Sequence, residues 1–202
     1  MPTAVITGSS RGLGRATALR FARDGYDIAV NYHTSEAEAE AVAERAREHG
    51  VEAVVVGADV SEYDDAERLV ETAADAFGGI DHLVNNAGID QHVYTDSLSP
   101  EDFDRVSDVN VNSAFNCTKA ARTYLYDSDD DPSVVNLSSI LAFTGAPVEC
   151  HYAASKKERE LAAIPRDRYG QPEDIAEAAA YLRDAGFVTG ETLHVNGGER
   201  MQ

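Results

Sequence analysis

The sequence predicts an α/β fold: a doubly wound parallel sheet in three layers. Three observations carry this. Short β-branched apolar runs alternate with segments of helical spacing from the first residues onward. Each apolar run is continuous rather than alternating, as in a strand buried on both faces. Gly25, and the pair Gly78-Gly79, follow helical segments where a helix C-terminus favours glycine. With 202 residues the chain is long enough for one sizeable core, and one domain over residues 1–202 is expected.

In order, residues 3–7 (TAVIT) form the first strand, followed by GSSRGLG and a helix through RATALRFARDG. Strand, glycine loop and helix is the setting in which a glycine motif binds a phosphate. Gly8 suits the tight turn, while Gly12 and Gly14 let backbone approach an anion at the helix N-terminus. The spacing is Gly8-x3-Gly12-x-Gly14, and Thr17 stands where the strict G-x-G-x-x-G pattern ends in glycine. Residues 27–31 form the second strand. Ser35 to His49 is a helix, with Ser35 as N-cap and Glu38 at the capping-box position. Residues 51–60 form a third strand ending in Asp59, Glu62 to Phe77 a helix, and residues 80–88 a fourth strand running into a loop. Asp59 and the Asn85-Asn86-Ala87-Gly88 run fall at the C-terminal strand ends, where such sheets bind ligands. Residues 108–125 read as a helix with Ala114, Phe115, Thr118 and Ala121 facing inward.

Composition narrows the function. There are 36 acidic and 17 basic residues, a net charge of −19, and lysine only at 119, 156 and 157. Such a field repels nucleic acid and anionic membranes, and an acidic, lysine-poor surface resembles that of salt-adapted cytosolic proteins. No run approaches a membrane span, and the N-terminus has no signal-peptide pattern, so a cytoplasmic location is expected. Cys117 and Cys150 and the six histidines lack metal-ligand spacing, so no metal is expected. The acidic run 127–131 lacks the glycine and glutamate of a calcium loop and reads as solvated.

Ser139 follows the fifth apolar run, and Tyr152 and Lys156 stand four apart, on one face if helical. A hydroxyl, a phenol and an ammonium are the parts of a proton-transfer site for a carbonyl or alcohol. Together, the Gly8–Gly14 loop, Asp59-Val60, NNAG at 85–88, Asn110, Ser139 and Tyr152-x-x-x-Lys156 resemble the short-chain dehydrogenase/reductase family. The branches most alike are 3-oxoacyl-[acyl-carrier-protein] reductases and glucose-dehydrogenase-like members. The resemblance covers residues 3–156 and resumes at 170–198, where it implies a C-terminal helix and a last strand.

The resemblance implies a Rossmann fold, a nicotinamide nucleotide, and hydride transfer to or from a carbonyl or secondary alcohol. The cradle would comprise Gly8, Ser10, Arg11, Gly12, Leu13, Gly14 and Tyr32. Asp59 would receive the adenine amino group, with Val60 packed beside it, and Asn86, Ala87 and Gly88 would line the ribose and nicotinamide side. Tyr152 would be the general acid. Its phenol, with an ordinary pKa of about 10, would be lowered by the Lys156 ammonium. Lys156 would also hold the ribose, Ser139 would hydrogen-bond the substrate oxygen, and Asn110 would hold a water linking Lys156 to solvent. Neither Asn31 nor Tyr32, at the end of the second strand, is acidic, while Arg11 could face a 2′-phosphate and His33 and Thr34 could add donors. NADP(H) is therefore expected over NAD(H). A homo-oligomer, dimer or tetramer, is also implied, as is a small-molecule carbonyl or alcohol substrate.

One departure stands out. Thirteen residues separate Lys156 from Gly170, too few for the helix, sixth strand and substrate lid of the family. Three explanations compete: a shortened chain, two segments joined across a missing stretch, or a lid supplied by another subunit. The expected sheet is accordingly short of one strand.

Overall fold

A computed structural model describes residues 1–89, 91, 93–94, 96–139, 168, 170–186 and 188–196. The Lys156/Lys157 junction, Tyr152 and Lys156 lie outside the described residues.

Among the described residues five parallel strands form one sheet in the order β3-β2-β1-β4-β5. They are β1 (Thr3–Ile6), β2 (Asp27–Tyr32), β3 (Ala53–Gly57), β4 (His82–Asn85) and β5 (Ser133–Asn136). The helices are α1 (Gly12–Arg23), α2 (Glu36–Arg47), α3 (Tyr63–Phe77), α4 (Pro100–Ser107), α5 (Ser113–Asp127) and α6 (Pro172–Asp184). Strand order reverses between β1 and β4, and that switch point opens the crevice at the C-terminal edge.

Each strand is apolar on both faces because each face meets helices. Ile6, Ile28, Val30 and Val84 pack with Phe21 of α1, Val42 of α2 and Ala179 and Ala180 of α6. Val5, Ala29 and Leu83 pack on the opposite face with Leu69 and Val70 of α3 and Cys117 and Ala121 of α5. This is the three-layer α/β arrangement expected from the alternation.

Helix ends follow local chemistry. Gly78, at φ 88°, closes α3 in the left-handed region, with its N–H on the Ala74 carbonyl. At the start of α6, the Gln171 N–H donates to Asp174 Oδ2 at 2.7 Å. The expected capping of α2 does not form: Ser35 precedes the helix without a side-chain cap bond. The exposed start of α2 leaves its first N–H groups to water, which satisfies them as well.

The third strand is shorter than expected, and Asp59 lies two residues beyond its end at Gly57. A Cβ on Gly57 would come within 2.8 Å of the Tyr32 ring, so the ring lies over that strand end.

Residues 108–125 are not one α-helix. α4 ends at Ser107, a π-helical turn occupies Asp108–Asn112, and α5 begins at Ser113. A π-turn carries an extra residue per turn and rotates everything after it. The buried set becomes Ser113, Asn116, Cys117 and Ala121, while Phe115 is 64% exposed rather than inward. α4 was not expected from the sequence, although Ser99-Pro100 carries its signal: Ser99 Oγ accepts from the Asp102 N–H at 3.1 Å, with Pro100 at the first helical position.

The expected last strand is not found among the described residues. The described residues 188–196 are in no strand, and Val188, Leu193 and Val195 are 41%, 45% and 40% exposed. In a parallel sheet a strand needs a neighbour already in place. Among the described residues β5 pairs only with β4, and no sixth strand extends the sheet.

α6 is held to α1. Arg183, with a side chain 3% exposed, lies over the Phe21 and Tyr26 rings at 4.4 and 4.2 Å. It donates to Asp24 Oδ2 at 2.8 Å and Asp184 Oδ1 at 2.6 Å, while its buried Nη1 has no hydrogen-bond partner. Arg20 joins α1 to Glu177 of α6 at 2.8 Å and also pairs with Asp24. Among the described residues no helix is long and apolar enough to cross a membrane.

Candidate active site

The crevice is built where the loops after β1, β2, β3 and β4 meet. Register places Ile6 beside Val84 and Val30, so residues 7–14 emerge between residues 31–33 and 85–89. Gly8 and Gly12 take left-handed φ of 62° and 57°, which favours glycine at both. A Cβ on Gly14 would lie 2.4 Å from Asn86 Nδ2 and 2.5 Å from the Gly8 carbonyl oxygen. The loop therefore closes only around a residue without a side chain. A Cβ on Gly12 would meet nothing within 4 Å. Open space thus lies over the N-terminus of α1, whose first N–H groups have no intrahelical acceptor. These features fit a phosphate-bearing nucleotide.

Two side chains missed by sequence reading hold the loop in place. Thr7 Oγ1 accepts from the Asn86 and Ala87 N–H groups at 3.0 and 2.9 Å. Asn31, 2% exposed, accepts from the Gly8 N–H at 2.9 Å and donates to the Val56 and Ala58 carbonyls at 3.2 and 3.1 Å. Ser9 Oγ receives the Asn31 N–H at 3.0 Å. Their signal was a polar residue at the end of an apolar strand, which must find partners once buried. Ser10 is buried beside Ser9, while Arg11 is exposed and Leu13 half-buried at the start of α1.

Asn86 spends its Nδ2 on the Thr7 and Gly8 carbonyls, at 2.8 and 3.1 Å. Beyond Ala87, Gly88 sits against Asn110, and a Cβ there would be 3.3 Å from Asn110 Oδ1. Asn110 lies in the π-turn and grips Ile89 twice: its Oδ1 accepts the Ile89 N–H at 2.8 Å and its Nδ2 donates to the Ile89 carbonyl at 3.0 Å. The side chain is thus occupied with main chain.

At the far side, Asp59 Oδ1 accepts from the Ser61 N–H at 3.1 Å and the Ser61 hydroxyl at 2.6 Å. Its Oδ2 faces His33 Nε2 at 3.7 Å. Asp65 Oδ2 accepts the Asp59 N–H at 2.8 Å, and its hydrogen bond from Arg68, followed by that backbone bond, holds its carboxyl below the usual range. Val60 is buried. Burial, reinforced by Glu36 and Glu40, pushes the Tyr32 phenol up. Neither Arg11 nor Arg15, both exposed at the start of α1, has a carboxylate partner among the described residues.

Ser139 is half-buried three residues beyond β5, whose Asn136 pairs with Asn85. Asn85 Nδ2 donates to Asn136 Oδ1 at 2.8 Å and to Thr118 Oγ1 at 3.1 Å, while Asn85 Oδ1 is buried without a partner. Cys117 is fully buried, its thiol pushed up to about 12 by burial, and so is inert. The structure brings the glycine loop, Asp59, the 86–88 loop and Asn110 around one crevice. Tyr152 and Lys156 lie outside the described residues.

The comparisons agree with this architecture. The family model for short chain dehydrogenase matches residues 2–159. The chain is 32% identical to the 3-oxoacyl-[acyl-carrier-protein] reductase FabG of Staphylococcus aureus (strain N315), covering 98% of each. It is also 32% identical to glucose 1-dehydrogenase 2 of Bacillus subtilis (strain 168), over 97% of this chain and 93% of that one. A crystal structure of the NADH-dependent reductase A1-R′, responsible for alginate metabolism, superposes with a TM-score of 0.92 at 29% identity, covering 100% and 98% of the two chains. The chain belongs to the short-chain dehydrogenase/reductase family and is an oxidoreductase of that class. The alignment to the staphylococcal enzyme spans 242 positions although this chain has 202 residues, so it opens gaps in this chain.

Proposed function

We propose that residues 1–202 act as one dinucleotide-binding and catalytic domain that reduces a carbonyl to a secondary alcohol with NADP(H). The function proposed resembles that of the 3-oxoacyl-[acyl-carrier-protein] reductases to which the chain is similar. The observation that carries the reading is the crevice itself: a glycine loop that tolerates no side chain at Gly14, opening toward Asp59 on one side and the 86–88 loop on the other.

The preference for NADP(H) rests on charge. Arg11 and Arg15 stand unpaired among the described residues at the mouth of the cradle, in a chain of net charge −19. β2 ends in Asn31 and Tyr32, so no carboxylate there disfavours a 2′-phosphate. His33 adds a ring nitrogen on the same side.

The nicotinamide nucleotide supplies the hydride when bound. Tyr152 delivers the proton to the substrate oxygen, and Lys156 lowers its phenol and holds the ribose. Ser139 donates a hydrogen bond to that oxygen as charge grows on it. Asn110 holds the water that links Lys156 to solvent, and because its side chain is taken up by Ile89 it does so through its main chain. The enzyme works in the cytoplasm as a homo-oligomer on a small-molecule substrate, without nucleic acid or membrane.

The test is reduction of a ketone panel, including a 3-oxoacyl thioester, followed by nicotinamide fluorescence. Tyr152→Phe is expected to abolish reduction while nucleotide still binds; full activity in that variant refutes the assignment. A second reading, a nucleotide-binding relative without turnover, draws on the gaps in the alignment and the strand missing at 188–196. Binding without reduction of any ketone would favour it.

A further inference from the structure

The π-turn and the helix after it reach two loops on opposite sides of the crevice. Asn110, in the turn, grips Ile89 on the 86–88 side. Asn116, in α5 and 7% exposed, points the other way along the crevice. Its Nδ2 donates to the Ser61 carbonyl at 2.8 Å and the Val60 carbonyl at 3.2 Å. Those two carbonyls belong to the loop that begins with Asp59, and Ser61 is the residue whose N–H and hydroxyl fix Asp59 Oδ1. The chain of bonds therefore runs from α5 through Asn116 to Ser61 and on to Asp59, leaving Oδ2 turned toward the crevice and His33.

We propose that Asn116 is a positioning residue: it fixes the Asp59–Ser61 loop to the helix that follows the turn carrying Asn110, and so sets the distance between the adenine end and the nicotinamide end of the nucleotide site.

This rests on the reading of Asp59 as the acceptor for the adenine amino group. Among the described residues no other α5 side chain hydrogen-bonds the loop, and Asp65 holds it from α3, through the Asp59 N–H. The loop is thus tied to both neighbouring helices, once each by a side chain. An Asn is suited to the α5 tie because one NH₂ group reaches two adjacent carbonyls. Both carbonyls lose their donor if it is replaced by an apolar side chain, and the loop is then free to seek water.

The experiment compares two probes on the full-length chain. NADPH spans both ends of the site, and reduced nicotinamide mononucleotide lacks the adenosine. Fluorescence titration of Asn116→Leu is expected to lower the ratio of NADPH affinity to mononucleotide affinity about tenfold, the equivalent of about 1.4 kcal/mol for a lost pair of hydrogen bonds. Asn116→Ser, which keeps one donor, is expected to fall between the variant and the parent, and it reads the same ratio if the leucine variant does not fold. An unchanged ratio, whether both affinities hold or both fall together, overturns the positioning role. Absence of NADPH binding in the parent chain would instead sink the nucleotide reading on which the proposal rests.

Discussion

Arg183 makes the sharpest prediction about stability. Its guanidinium is buried between two aromatic rings, at 4.4 and 4.2 Å, and bonded to Asp24 and Asp184. Each cation–π contact is worth roughly 0.5–2 kcal/mol. The ion pairs count for less than their distances suggest, because the Asp24 and Asp184 side chains are 26% and 59% exposed and regain water when the arginine is lost. The partnerless Nη1 subtracts from the total. Arg183→Ala, which also leaves a cavity, is expected to cost about 3 kcal/mol, and Arg183→Met, which refills much of the space, about 1 kcal/mol. With a urea slope of about 2 kcal/mol/M, the alanine variant should unfold about 1.5 M earlier by far-ultraviolet circular dichroism at constant salt. If alanine costs under about 0.5 kcal/mol, or if methionine costs as much as alanine, packing of the buried stem is not what the residue contributes.

Gly14→Ala is expected to abolish nucleotide binding and lower Tm, because its Cβ would sit 2.5 Å from the Gly8 carbonyl oxygen. Gly12→Ala meets no atom and should cost only the left-handed strain, about 1–2 kcal/mol; equal damage from the two in a fluorescence titration would refute the steric account. Burial holds His82 below its ordinary pKa, beside Ser133 at 2.9 Å. The folded protein therefore resists the proton that the unfolded chain takes up below about pH 6.5. Stability should be full above that value and fall as pH drops through it, and His82→Gln should flatten this part of the profile in urea titrations at pH 7.5 and 5.5.

Much of the fold was legible because it depends on local chemistry. Runs such as TAVI, with Gly8 soon after it, and DIAVNY, with Gly25 just before it, have few other uses, and both are strands. The glycine loop was legible for the same reason: left-handed backbone at Gly8 and Gly12 leaves a mark in the sequence. The inward face of α5 was not, because one extra residue in the turn at 108–112 moves Phe115 out and Asn116 in, and nothing in the spacing announces it. Asn31 and Thr7 were missed because their partners come from other strands, up to 80 residues away. Residues 188–196 show the opposite failure. Their pattern suits a strand, yet a strand is a property of a pair, and among the described residues no neighbour for it is present.

The contact between α1 and α6 bears on how such a chain can change length. The two helices are joined by Arg183–Asp24 and Arg20–Glu177, residues separated by 159 and 157 positions. Closing a loop costs only about 0.6 kcal/mol more for each doubling of its length. The segment between β5 and α6 can therefore shrink or grow in evolution while the clasp returns the chain to the same place on the sheet. The ends of that segment are then fixed by side chains of α1 and α6 rather than by the segment itself.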